Sequence, residues 1–63
     1  MSIMSMISCA RRELRMREAY YPERVRRGVM SPEKAQHEID AMRAICELLD
    51  SIQERQAAEV QNG

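Results

Sequence analysis

The segment Arg27-Gly28-Val29-Met30-Ser31-Pro32-Glu33 constrains the fold of this chain most, because it can end one helix and start another. Gly28 can adopt the left-handed conformation that closes a helix, and the Ser31 hydroxyl can cap the next one. Pro32 suits a first helical position, where its missing N–H would lack a partner in any case. The segment therefore predicts a turn at residues 28–31, between a helix over residues 3–27 and another over residues 32–58.

Apolar residues recur at helical spacing on both sides of this turn. The stripe of the first arm consists of Ile3, Ile7, Ala10, Leu14, Tyr21 and Val25. The stripe of the second arm consists of Ala35, Ile39, Met42, Cys46, Leu49 and Ile52. If the chain folds back between residues 29 and 30, residues whose numbers add up to about 59 face each other, and stripe meets stripe. The predicted fold class is all-α, an antiparallel two-helix hairpin that forms one domain over residues 1–63.

Two features are expected to interrupt this regular pattern. Pro22 removes a backbone hydrogen bond inside the first arm, which predicts a kink near residue 22 or a short break at Tyr20-Tyr21. Beyond Ile52 the apolar stripe weakens, so the C-terminal residues are expected to fray.

The chain carries more apolar surface than two facing stripes can bury. A domain this small is marginal without self-association, and the surplus residues lie outside both stripes. We therefore expect two hairpins to dimerise into a four-helix arrangement, or the hairpin to bind a partner protein. The candidate partner or oligomer surface consists of Met4, Met6, Met16, Tyr20, Ile45 and Leu48.

The charges are divided between the arms, although the net charge is zero. Up to residue 27 there are seven Arg and three Glu, and from residue 28 onward three Lys or Arg and seven acidic residues. The candidate basic face of the first helix consists of Arg11, Arg12, Arg15 and Arg26. The alternative function is therefore a small DNA-binding or regulatory protein that uses this face.

Acidic neighbours weaken the nucleic-acid interpretation of the arginines. Glu13-Arg17 and Glu23-Arg27 have the four-residue spacing of favourable helix pairs, and the neighbouring arm is acidic, which favours a solvated face. Arg17 and Arg24 should flank the apolar seam, and Glu38 is the nearest acid on the opposing arm, so an ion pair between the arms is also predicted.

The residues that carry chemistry are too few and too scattered to predict an enzyme. The single histidine and the two cysteines lack metal-ligand spacing, and the two glycines form no phosphate-binding loop. No catalytic residue, cofactor or metal ligand is predicted. The stagger of the arms places Cys9 and Cys46 too far apart for a disulfide, so Cys46 is expected to be a buried apolar residue.

Composition and the absence of a long apolar run predict a soluble intracellular protein with reduced thiols. No membrane association is expected.

Three short motifs carry a resemblance to small, functionally uncharacterised proteins encoded by phages and prophages. These motifs are Leu-x-Met-Arg, Tyr-Pro-x-x-Val-x-x-Gly and Glu-Ile-x-x-Met, within residues 13–49. The resemblance implies a phage accessory protein that binds, and inhibits or redirects, a bacterial host protein in the host cytoplasm. It also leaves open a structural subunit of a phage assembly, and it assigns no binding residue.

Overall fold

The structure is a computed structural model that describes residues 1–62. It contains two helices, α1 (Ile3–Arg26) and α2 (Pro32–Asn62), and no strand within the described residues. The helices pack against each other along their length, which confirms the all-helical hairpin. α2 continues to Asn62, past the predicted end at residue 58, because its Gln, Glu and Ala residues are good helix formers. Gly63, the last residue expected to fray, lies outside the described residues.

Both helices begin at a capping serine. The Ser2 hydroxyl accepts a hydrogen bond of 3.1 Å from the Ser5 backbone N–H, and Ser31 accepts one of 3.1 Å from Lys34. Each cap satisfies one of the backbone donors that a helix N-terminus leaves without an intrahelical partner. Pro32 occupies the first position of α2, as its missing N–H predicts.

The end of α1 is closed by Gly28, which has a φ angle of +77°. The Gly28 N–H donates to the Val25 carbonyl at 3.0 Å, and the Val29 N–H donates to the Arg24 carbonyl at 3.0 Å. This pair of bonds is a Schellman motif, which satisfies carbonyls that the last helical turn leaves unpaired. The predicted end of α1 at Gly28 and the predicted start of α2 after Ser31 are therefore confirmed, together with the hydrogen bonds of both caps.

α1 runs through Pro22 without interruption. The predicted alternative of a short break at Tyr20-Tyr21 is therefore wrong, whereas a kink near residue 22 stays a prediction. Pro22 is exposed, so the carbonyl that it leaves without a donor, that of Glu18, lies on the open side of the helix. The lost hydrogen bond can be replaced by solvent there, and the helix continues.

The core is a single layer between the helices. The buried residues are Ile7, Ala10, Ala35, Met42 and Cys46. Ala10, Met42 and Cys46 form a cluster against which Leu14 and Leu49 pack. The molecule measures 53 × 17 × 14 Å, with a radius of gyration of 15.2 Å against about 10.6 Å for a compact domain of this length. Two helices of this shape leave most of their circumference exposed.

Candidate functional site

Two ion pairs close one edge of the hairpin. Arg11 contacts Asp50 at 3.0 Å, and Glu18 contacts Arg43 at 3.1 Å. In each helix the two partners are seven residues apart, which is two turns, so both pairs lie along the same side. We call this side, defined by these four residues, the charged edge.

Arg17 joins the two helices on the opposite edge. Its Nη1 donates to the Glu38 backbone carbonyl at 2.8 Å and lies 3.7 Å from the Glu38 carboxylate. Its Nε donates to Glu13 at 3.1 Å. The predicted ion pair between the arms is therefore confirmed with Arg17, and not Arg24, as the partner of Glu38. The predicted Glu13-Arg17 pair is confirmed as well. Both mark the side of the hairpin that lies away from the charged edge.

A second stripe of α1 turns towards the edge marked by Arg17. It consists of Met6, Cys9, Glu13, Met16 and Tyr20. Its members follow one another at steps of three and four residues, and the stripe is rotated by about 110° from the core stripe. Met6, Met16 and Tyr20 are exposed, so this side of α1 presents apolar surface to solvent.

α2 has a matching second stripe, also rotated by about 110° from its core stripe. It consists of Ala41, Ile45, Leu48 and Ile52. Because the helices are antiparallel, this rotation brings both second stripes to the same side of the hairpin, where Arg17 meets Glu38. The exposed side chains there define the apolar face: Met6, Met16, Tyr20, Ile45 and Leu48. Their exposed fractions range from 37% for Met6 to 60% for Leu48.

A shallow depression of about 160 Å³ lies along α1 at the border of the apolar face. It is lined by Glu13, Met16, Arg17, Tyr20, Tyr21 and Arg24. The Arg24 guanidinium lies 5.4 Å from the Tyr21 ring centroid, which is a cation–π distance. The depression is smaller than the roughly 300–1,000 Å³ of ligand pockets, so it suits one side chain of a binding partner better than a cofactor.

Five of the six predicted surface residues lie together on the apolar face, and Met4 does not. Met4 is exposed, but it precedes Met6 by two residues and is therefore turned by about 160° from it. The sequence pattern predicts Ile52 in the core stripe, whereas in the structure it is partly buried at the end of the second stripe of α2. The steps of four, three and four from Ala41 to Ile52 were the signal that could have identified this stripe.

The candidate basic face is exposed but partly neutralised. Arg11 pairs with Asp50, and Arg26 pairs with Glu23. Arg12 and Arg15 are exposed and form no ion pair within the described part of the chain. The four arginines therefore share one side of α1, with half of their charge already engaged by carboxylates of the hairpin itself.

The remaining chemistry-bearing residues do not converge. Cys46 is buried, as predicted, whereas Cys9 is exposed, and both thiols are free. His37 is exposed beside the turn. Across residues 1–62, no group of three His, Cys, Asp or Glu side chains comes close enough to hold a metal ion. Over the same residues, neither helix combines the length and the hydropathy that crossing a bilayer requires.

Comparison with protein-family models, with characterised proteins and with solved structures finds no match to this chain. Its function therefore has to be argued from the surfaces of the hairpin.

Proposed function

We propose that this chain is a protein-binding helical hairpin and that the apolar face is its working surface. The observation that supports this proposal is the gathering of five large exposed apolar side chains on one side, opposite the ion-paired charged edge. Large exposed apolar side chains gathered on one side are typical of binding sites on small proteins. Methionine and tyrosine, which supply three of the five side chains, are enriched in interfaces because they offer large and adaptable contact area.

The proposed partners are a second copy of the chain and a bacterial host protein. Dimerisation into a four-helix arrangement is supported by the thin core, because no described side chain is completely buried within one hairpin. The host target, its inhibition or redirection, and the phage or prophage origin are supported by the sequence resemblance of residues 13–49. Of the other large exposed apolar residues, Met1, Met4 and Val60 lie at the open end of the hairpin and Val29 lies at the turn. The two partners therefore compete for the apolar face.

A pair of matched variants tests this proposal. Met16→Glu places a carboxylate on the apolar face, whereas Ala19→Glu places one on the outer side of α1, three residues away. Both variants add the same charge to the same helix at exposed positions, so their helix content and solubility should be similar. The tagged wild-type chain and both variants are used to capture proteins from a bacterial lysate, and the captured protein is then purified for affinity measurements.

The expected result is a protein that binds the wild type and Ala19→Glu but loses at least about tenfold in affinity for Met16→Glu, since binding would bury an unpaired charge. Equal binding of the two variants would contradict the proposal.

A second experiment measures the binding of the chain to duplex DNA. If the chain binds DNA with an affinity that falls steeply with salt, and Arg12→Ala and Arg15→Ala weaken that binding, the basic-face alternative replaces the proposal.

A further inference from the structure

We propose that in the free protein the apolar face is covered by a second copy in a parallel orientation, with both turns at the same end of a four-helix bundle. This inference rests on the proposed function, because it requires the apolar face to be a protein-binding surface. It goes further by fixing which helices touch: α1 of each copy lies against α2 of the other copy, and the two copies of α1 lie on a diagonal.

When the helices of the two copies are aligned, as in a four-helix bundle, a two-fold axis allows only two ways to bring the apolar faces together. If the axis runs along the helices, the turns lie at one end and α1 meets α2 of the second copy. If the axis runs across the helices, the turns lie at opposite ends and α1 meets α1 of the second copy. The choice between the two arrangements therefore depends on which helices attract each other.

Charge favours the first arrangement. The chain up to residue 27 carries an excess of arginine, and the chain from residue 28 onward carries an equal excess of acidic residues. In the parallel bundle every basic helix has two acidic neighbours. In the antiparallel bundle the two basic helices lie side by side, as do the two acidic ones, and like-charge contacts weaken association. The hairpin itself already uses this attraction in two of its three ion pairs between helices, Arg11–Asp50 and Arg17–Glu38. The third pair has the opposite sense, with Arg43 of α2 against Glu18 of α1.

The positions of the apolar side chains also suit the parallel arrangement. The three ion pairs between helices join residues whose numbers add up to 61, 61 and 55. A residue of α1 and a residue of α2 therefore lie at the same height along the hairpin when their numbers add up to about 59. A two-fold axis along the helices keeps these levels in the second copy. Met6 then lies at the same height along the bundle as Ile52 of the second copy. Met16 lies at a height between Ala41 and Ile45 of the second copy. The two stripes interleave without a shift.

The exposed area matches what such a dimer needs to bury. The solvent-accessible surface of the chain is 4905 Å². A compact monomer of its mass, 7.3 kDa, exposes about 4200 Å², so the excess is about 700 Å². A stable protein interface buries about 800 Å² on each partner. A second copy on one side of the hairpin would therefore bury an area close to this excess.

The orientation is tested with spin labels at the turn. Val29→Cys is introduced into a Cys9→Ser and Cys46→Ala background, because Val29 is exposed and lies next to Gly28. Circular dichroism and sedimentation of the unlabelled background, compared with the wild type, control for changes in folding and association. In the parallel bundle the two labels should lie roughly 15–30 Å apart, since neighbouring helices are separated by about 8–10 Å. In the antiparallel bundle they should lie more than about 35 Å apart, the length of α1.

A second experiment tests the contact by charge. Ile45→Lys puts an ammonium group inside the bundle against the basic α1 of the second copy, whereas Ala44→Lys puts one on the outside. Sedimentation should show a wild-type dimer whose dissociation constant rises with added salt, because screening weakens attraction between α1 and α2. The dissociation constant should rise at least about tenfold for Ile45→Lys and change by less than about threefold for Ala44→Lys.

Short label distances in a salt-weakened dimer support the parallel bundle. Long distances, or a dimer strengthened by salt, overturn the orientation and leave the apolar face as a binding surface. A monomer at high micromolar concentration overturns the second copy altogether, and the Met16→Glu experiment then decides the proposed function separately.

Discussion

Replacing Gly28 by L-alanine should lower the free energy of unfolding by about 1–2 kcal/mol. The φ angle of +77° places Gly28 in the left-handed region, where an L side chain clashes with its own backbone. A Cβ atom built at Gly28 meets no other atom within 4 Å. Because packing around the site is unaffected, the whole effect should come from backbone conformation.

This reasoning makes an opposite prediction for D-alanine at the same position. A D residue favours positive φ, and its Cβ restricts the unfolded chain more than glycine does. Gly28→D-Ala should therefore stabilise the hairpin by about 0.4–1 kcal/mol, since the folded conformation is already compatible with it. Gly28→Asn should fall between glycine and L-alanine, because asparagine tolerates the left-handed region better than other residues.

The three variants can be prepared by chemical synthesis of the full chain and compared with the wild type by urea and thermal unfolding. All samples need the same protein concentration, because self-association would add to apparent stability. For a chain of this size, 1 kcal/mol corresponds to a shift in Tm of about 4–8 °C. The reasoning fails if L-alanine has no effect, or if D-alanine destabilises as much as L-alanine does, since chirality would then be irrelevant at the turn.

Three further predictions concern the core, the cap and the ion pair. Met42→Ala should cost about 2–5 kcal/mol in urea unfolding, because Met42 is buried in the central cluster; an unchanged midpoint would contradict that core. Ser31→Ala should cost about 1 kcal/mol in the same assay through loss of the α2 cap, with Ser31→Gly closer to the wild type. Glu38→Lys should lower Tm in dilute buffer and recover in part in 1 M salt, because Glu38 faces Arg17 across the hairpin. An equal loss of Tm at both salt concentrations would show that charge is not the cause.

The hairpin could be predicted from sequence because its determinants are local. Gly28, Ser31 and Pro32 act within a few residues of themselves, and each apolar stripe is a property of one helix. The true length of α2 was harder to predict, because beyond Ile52 helix propensity replaces the apolar stripe as the signal. The continuity of α1 through Pro22 depends on which side of the helix faces solvent, which the sequence motif alone does not specify.

The sequence predicts which residues of the candidate surface are exposed, but it does not predict that they lie on one side of the hairpin. Exposure of Met6, Met16 and Ile45 followed from their position outside the core stripes. Met6, Met16 and Ile45 lie on the same side of the hairpin, and Met4 does not. This arrangement depends on how α2 packs against α1 after the turn. The Arg17–Glu38 contact supplies that direction, because it identifies the edge towards which both second stripes turn.

The two free thiols occupy different depths of the molecule. Cys9 lies on the second stripe of α1 and is open to solvent in the single hairpin, whereas Cys46 lies in the core with 7% of its surface exposed. A second copy on the apolar face would cover Cys9, so its rate of alkylation should fall as protein concentration rises. Cys46 can react only when the helices separate. In the native sequence, the alkylation rate of Cys9 thus reports dissociation of the dimer, and the alkylation rate of Cys46 reports opening of the hairpin.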